Sequence, residues 1–236
     1  MNGLSFHRII GRFSAILFLS ATFLSITAGA QTHPSGATSV PVITFTLDFP
    51  ASNPSHYAIS VDANGHATYE STTKVEDDSD PDTYKMEFVM TTANRDRIFE
   101  WAKQANYFST KLDSGNRKLA FTGDKVLSYQ DGERSFTAHY NYSTIDSVRQ
   151  LTNLFQKIAT TLDFGRQLTY DHRYQKLALD EVLKQMETEA KNGELSEIQS
   201  LAPVLDPIIA DGSVINVVRA RAKELIRSAN NAPPGH

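Results

Sequence analysis

The 236-residue chain contains no cysteine. Disulfides, thiolate metal centres and a lipid-anchored amino terminus, which needs a cysteine at its cleavage point, are excluded together. A basic surplus is missing as well: 23 Lys and Arg stand against 27 Asp and Glu, for a formal net charge of −4 at pH 7. Without excess cations to displace counterions from phosphates, nucleic acid is not an expected partner. The chain also lacks a G-x-S-x-G elbow, an H-E-x-x-H pair, a P-loop and a G-x-G-x-x-G turn, the short motifs that most directly announce a reaction. Tryptophan occurs once, as Trp101.

Long apolar runs are scarce too, and the clearest lies at the start. His7, Arg8 and Arg12 precede the stretch Phe13 to Leu24, and Ala28-Gly29-Ala30 follows it, with no acid before Asp48. Positive start, apolar middle and small-x-small end are the layout of a secretory signal peptide, expected to occupy residues 1–30 and to be cleaved before Gln31. The run is shorter than the roughly 20 apolar residues of a membrane span and is interrupted by Ser and Thr. An uncleaved anchor is the alternative; after cleavage no span is expected. Losing Arg8 and Arg12 leaves 21 cations against 27 acids, a mature charge near −6. The expected location is secreted or periplasmic, and a disulfide-free exported chain must rely on its core.

Residues 31–40 are polar and aperiodic, a lead-in. Period-two alternation begins at Pro41, where Ile43, Phe45, Leu47 and Phe49 form one apolar face. Asn64-Gly65 between "HYAISV" and "HATYES" predicts a tight hairpin. "YKMEFVM" (84–90) alternates again. Ile98, Trp101, Ala102 and Ala105 then share a helical stripe behind a Thr91 or Thr92 cap. "RKLAFT", "KVLSYQ" and "RSFTAHYNY" read as a meander turning at Gly123-Asp124 and Asp131-Gly132. Ser143 with Asp146 resembles a capping box, opening a helix with Val148, Leu151, Leu154, Phe155, Ile158 and Leu162 on one side. After Gly165 the pattern is wholly helical, and Tyr174, Leu177, Ala178, Val182, Leu183 and Met186 form a stripe. The fold class is α+β: a mainly antiparallel sheet of six to seven strands with two packed helices over residues 41–165. An all-helical segment (166–228) and a tail (229–236) follow.

Pro54 with Tyr57, Asn64-Gly65, Tyr69, the helix from Phe99 to Phe108 and the turn from Gly123 to Tyr129 resemble an uncharacterised family of small secreted bacterial α+β domains. That resemblance covers residues 42–162 and implies export and a compact α+β domain, with no activity to transfer. The Cys-Pro pair associated with the family is absent and the acidic stretch after Lys74 is additional. "LAPVLDPIIADGSVINVVRARAKELI" (201–226) is similar to one HEAT-type helical repeat. Such repeats bury a core only by stacking about three copies, and a single copy also reads as a helical hairpin packed on the domain.

Five carboxylates crowd "KVEDDSDPDTY" (74–84), with Asp78, Asp80 and Asp82 alternating. With Asp78 as position 1, an EF-hand needs Gly at 6 and Glu at 12, but Thr83 and Val89 stand there. A looser calcium site on those three aspartates, or a solvated loop that discourages strand-edge pairing, are the readings left. In "SFTAHYNYS", Phe136, Ala138, Tyr140 and Tyr142 alternate with Thr137, His139 and Asn141. Tyr140, Tyr142 and His139 are therefore candidate binding residues, with core packing the competing explanation. Asn141-Tyr142-Ser143 fits a glycosylation sequon. Asp171-His172 is the other histidine pairing of note. These residues point to an exported, non-catalytic interaction module contacting a protein or cell-envelope partner. A secreted hydrolase with a dispersed site and a calcium-stabilised structural domain are the alternatives. Intact-mass analysis of protein exported by its host should give the mass of a chain beginning at Gln31, and a retained Met1 would mean an anchor.

Overall fold

In the computed structural model, residues 39–73 and 82–231 are described. The signal segment, residues 31–38 of the lead-in, Asp78, Asp80 and residues 232–236 lie outside them, so those expectations meet no structural counterpart. The alternating segments pair as expected: β1 (Val42–Asp48), β2 (His56–Asp62), β3 (His66–Thr73), β4 (Asp82–Val89), β5 (Asp124–Gln130) and β6 (Ser135–Tyr140). They form one sheet in the order β4-β3-β2-β1-β5-β6, with every neighbouring pair antiparallel. At the β2–β3 turn, Asp62 accepts from the Asn64 and His66 amides. Gly65 there takes a φ of +91°, a left-handed angle that glycine adopts without steric penalty.

"RKLAFT" forms no strand. Both edges of β5 are occupied, by β1 and β6, so a hairpin partner before Gly123 has nowhere to pair. The Asn141 side chain substitutes for a strand, accepting from the Thr122 amide at 2.9 Å and donating to the Ala120 carbonyl at 2.9 Å. The buried Lys125 ammonium closes the same loop by donating to Thr122 and Asn141 oxygens.

One face of the sheet is the core. Ile43, Phe45, Leu47, Tyr57, Ile59, Val61, Tyr69, Leu127 and Tyr129 are buried on it. An aromatic ladder runs across four strands: Phe45 to Tyr57 at 6.0 Å, Tyr57 to Tyr69 at 6.3 Å and Tyr69 to Tyr84 at 6.2 Å between centroids. Those spacings fall within the range for favourable ring contacts. Phe155 stacks on Phe45 at 5.3 Å and docks a long helix onto this ladder.

Helices cover that face: α1 (Thr92–Gln104), α2 (Asp146–Tyr174), α3 (Leu179–Lys191), α4 (Ala202–Ala210) and α5 (Asn216–Asn231). Thr91 caps α1 by accepting from the Asn94 amide. Ser143 does not cap α2; its hydroxyl accepts from the Ile145 amide one residue before the helix begins. The boundary drawn at residue 165 falls inside a helix, since α2 runs through Gly165 to Tyr174. Glycine inside a helix costs about 1 kcal/mol relative to alanine. Here it admits Leu201, whose Cδ2 would lie 2.6 Å from a Cβ at this position. The segment after residue 165 is therefore no appendage: Leu183, Met186, Leu201, Leu205, Val218 and Ala222 join the same core as the sheet. The α4–α5 hairpin packs on α2 and α3, and α5 continues to Asn231, into the expected tail.

Glu197 fastens this arrangement. It is 4 % exposed and holds a left-handed φ of 64°. Its carboxylate accepts from the Thr91 backbone amide at 3.1 and 3.2 Å, the Thr91 hydroxyl at 2.6 Å and the Asn94 side-chain Nδ2 at 2.6 Å. A carboxylate at a helix amino terminus satisfies free N–H groups and opposes the positive end of the dipole. Glu197→Ala should lower unfolding free energy by about 3 kcal/mol, since a charged network is broken in a buried place. Urea unfolding tests this; a loss below about 1 kcal/mol, typical of a surface change, would show that the clamp is idle.

Candidate functional site

The residues singled out from sequence end in different places. Tyr140 is 3 % exposed, and its hydroxyl pairs with that of Thr152 at 2.7 Å. It belongs to the core, because β6 turns that face toward α2, so it cannot form part of a surface contact. Tyr142 lies beyond the end of β6 and is exposed. His139 projects from the opposite, outer sheet face, where its Nδ1 lies 2.9 Å from Asp124. The three therefore do not form one site, and Asn141 of the sequon is engaged in the loop described above. Of the three aspartates proposed for calcium, Asp82 opens β4 and the other two lie outside the described residues. Among the described residues, no three His, Asp or Glu side chains converge on a point that would hold a metal ion.

The composition of a catalytic triad does occur, in the wrong arrangement. His172 Nε2 and Lys176 Nζ lie 3.0 and 2.6 Å from Asp211 Oδ2, and the Ser213 hydroxyl donates to Asp211 Oδ1 at 2.7 Å. A nucleophile must hand its proton to the histidine. Here the carboxylate stands between the two, and Ser213 Oγ accepts from Lys176 at 2.6 Å. The cluster is a clamp that ties the end of α2 to the α4–α5 turn. Lys176, then Ser213 and His172, hold the Asp211 carboxyl well below the usual carboxylate range.

Exposed apolar side chains are concentrated on the same two segments. Ten large apolar side chains are exposed among the described residues, and five of them, Tyr170, Tyr174, Leu177, Ile215 and Val217, gather on the two segments that Asp211 joins. Leu177 is 92 % exposed. The Tyr170 and Tyr174 rings sit 5.0 Å apart and Arg173 lies 5.2 Å over Tyr174. Tyr174 and Leu177 begin the stripe expected to face inward. They face outward because α2 ends at Tyr174, and the turn at 175–178 restarts the helical phase before α3.

A second feature went unread in the sequence. Gln150, Asn153, Gln156, Thr160, Asp163 and Gln167 recur at intervals of three and four, a polar stripe beside the apolar stripe of α2. Three adjoining cavities of about 460, 320 and 220 Å³ follow it, sharing lining residues such as Gln156 and Lys157. The largest is floored by Tyr57, Tyr69 and Phe164 and rimmed by Ser52, Asn53 and Gln185. Tyr69 is 1 % exposed, and its hydroxyl has no hydrogen-bond partner of good geometry among the described residues. The Ser71 hydroxyl beside it likewise has no partner of good hydrogen-bond geometry among the described residues. Burial pushes the Tyr69 hydroxyl above its ordinary pKa. The smallest cavity is lined by Trp101, half-buried on α1.

No protein-family model matches the chain, and no curated protein is similar to it. None of the described helices is long and apolar enough to cross a membrane. Because Asp211 has a depressed folded-state pKa, the clamp's stabilisation is complete above the unfolded carboxylate range near pH 4 and is lost as pH falls through the folded value. Asp211→Asn should therefore melt lower than wild type at pH 7, with the gap narrowing progressively as pH falls below about 4. A constant gap in melting temperature would sink this reading.

Proposed function

We propose that the protein is an exported, non-catalytic binding module that engages a protein partner through the end of α2 and the α4–α5 turn. The observation that carries this reading is the Tyr170, Tyr174, Leu177, Ile215 and Val217 cluster. Scattered exposed apolar residues need no explanation, whereas five on two segments tied by one carboxylate ask for one. Tyrosines are enriched where proteins meet, since the ring supplies contact area and the hydroxyl tolerates water. The Asp211 clamp holds the two segments together, so the surface is presented without an ordering cost at binding. Export is supported by the layout of residues 1–30, and the lack of a relay at His172 supports binding over hydrolysis.

A photo-crosslinking side chain placed at position 174 should yield a discrete adduct in the native host, while the same group at position 133, in the β5–β6 turn, should not. Leu177→Asp should abolish the adduct and change unfolding free energy by no more than about 0.5 kcal/mol, as for other surface substitutions. An adduct indifferent to that substitution, or none at all, would reject this surface.

A further inference from the structure

The end of α2 and the α4–α5 turn carry a sign of charge as well as exposed apolar side chains. The whole chain is acidic, with a formal net charge of −4. From Tyr170 to Leu177 and from Asp211 to Lys223 the balance reverses: Arg173, Lys176, Arg219, Arg221 and Lys223 stand against Asp171 and Asp211. Asp171 is buried, and Asp211 is already matched by Lys176. Arg221 is spent on Asp180 and Glu187 of α3. Arg173, Arg219 and Lys223 meet no carboxylate among the described residues. That is not the rule in this chain, where six of the ten described arginines are ion-paired.

Both free guanidinium groups are held in place beside the apolar side chains. Arg173 is exposed and lies 5.2 Å over the Tyr174 ring, an arrangement favoured by the ring's electron-rich face. Arg219 donates to the Asn216 side chain in the first turn of α5, between exposed Ile215 and Val217. A guanidinium carries five N–H donors in a planar fork that matches a carboxylate, which an ammonium does not. One stack and one hydrogen bond leave donors of each fork uncommitted. α5 begins here with no acid in its first turn, so the positive end of its dipole has the same sign.

We propose, resting on the reading of this surface as the partner site, that its occupant is a protein segment rich in Asp and Glu and interspersed with apolar side chains. The carboxylates of that segment take Arg173 and Arg219, and its apolar side chains cover Leu177, Tyr170 and Tyr174. Guanidinium groups already held over the surface lose little freedom when they are bound. Two copies of this chain apposed through the same surface would set like charges against each other. An anionic membrane is a poorer match, since a polybasic lipid site uses about four to eight adjacent Lys or Arg and three are free here.

The test uses the adduct formed in the native host through position 174. Tandem mass spectrometry of the digested adduct should place the cross-link in a partner segment of net negative charge. Arg173→Glu with Arg219→Glu should cut the adduct about tenfold or more, because each reversal turns attraction into repulsion. Arg173→Lys with Arg219→Lys keeps the charge and loses the fork, and should fall between the two. With the unreversed protein in host extract, raising NaCl from about 50 to about 500 mM should lower the yield several-fold, a reading that needs no variant to fold. A cross-link in a segment without net negative charge, or a yield indifferent to reversal and to salt, would overturn the inference and leave the partner surface standing. An adduct to lipid in place of protein would overturn it in favour of a membrane. No adduct at all would reject the surface itself, and the inference with it.

Discussion

A single buried carboxylate ties together two stretches of this protein that lie far apart in the sequence. Glu197 lies 106 residues beyond Thr91 and gathers the amide and hydroxyl of that residue together with the Asn94 side chain. Charged hydrogen bonds in a place of low dielectric are stronger than their exposed counterparts, and an unmatched donor there is costly. The clamp fixes where the chain returns after α3, and so where Leu201 meets Gly165. Once those positions are set, α4 and α5 have only one surface left to cover.

The rest of the core follows from that closure. The aromatic ladder lies across β1 to β4, and Phe155 seats α2 on it with rings nearly parallel, at 3°. α2 then serves two neighbours at once, the sheet on one side and α3 on the other. Its third side is the polar stripe, which no described element covers fully, and the three cavities are the space that remains. The Asp211 clamp at the far end of α2 plays a related part. It braces the segment from which Tyr170, Tyr174 and Leu177 face outward.

Much of this architecture was legible. Alternation marked the strands, and Asn64-Gly65 marked a turn, because a left-handed backbone angle is a local requirement that residue type announces; Asp131-Gly132 also lies at a turn, but Gly132 takes no such angle there. The apolar spacing of α2 was equally plain. Errors came where a local signal had a distant cause. "RKLAFT" alternates like a strand but had no free edge to join. Gly165 marked the boundary drawn between sheet domain and helical segment, and it is a notch for Leu201 inside α2. Tyr140 looked like a binding residue because period two cannot say which face a sheet buries. The polar stripe was missed because only the apolar half of a helix was followed, though its amides keep the same spacing.

By itself, then, the sequence determined the class of element at nearly every position, the exclusion of disulfides and thiolate chemistry, and the apolar faces available for burial. These depend on neighbours a few residues apart and on residue type. Only the tertiary structure decided which strands became edges, which aromatic side chains were spent in the core, and which polar ones were left lining open space. Those outcomes depend on contacts such as Glu197 with Thr91, whose partners are far apart in the chain and carry no mark of each other until the fold brings them together.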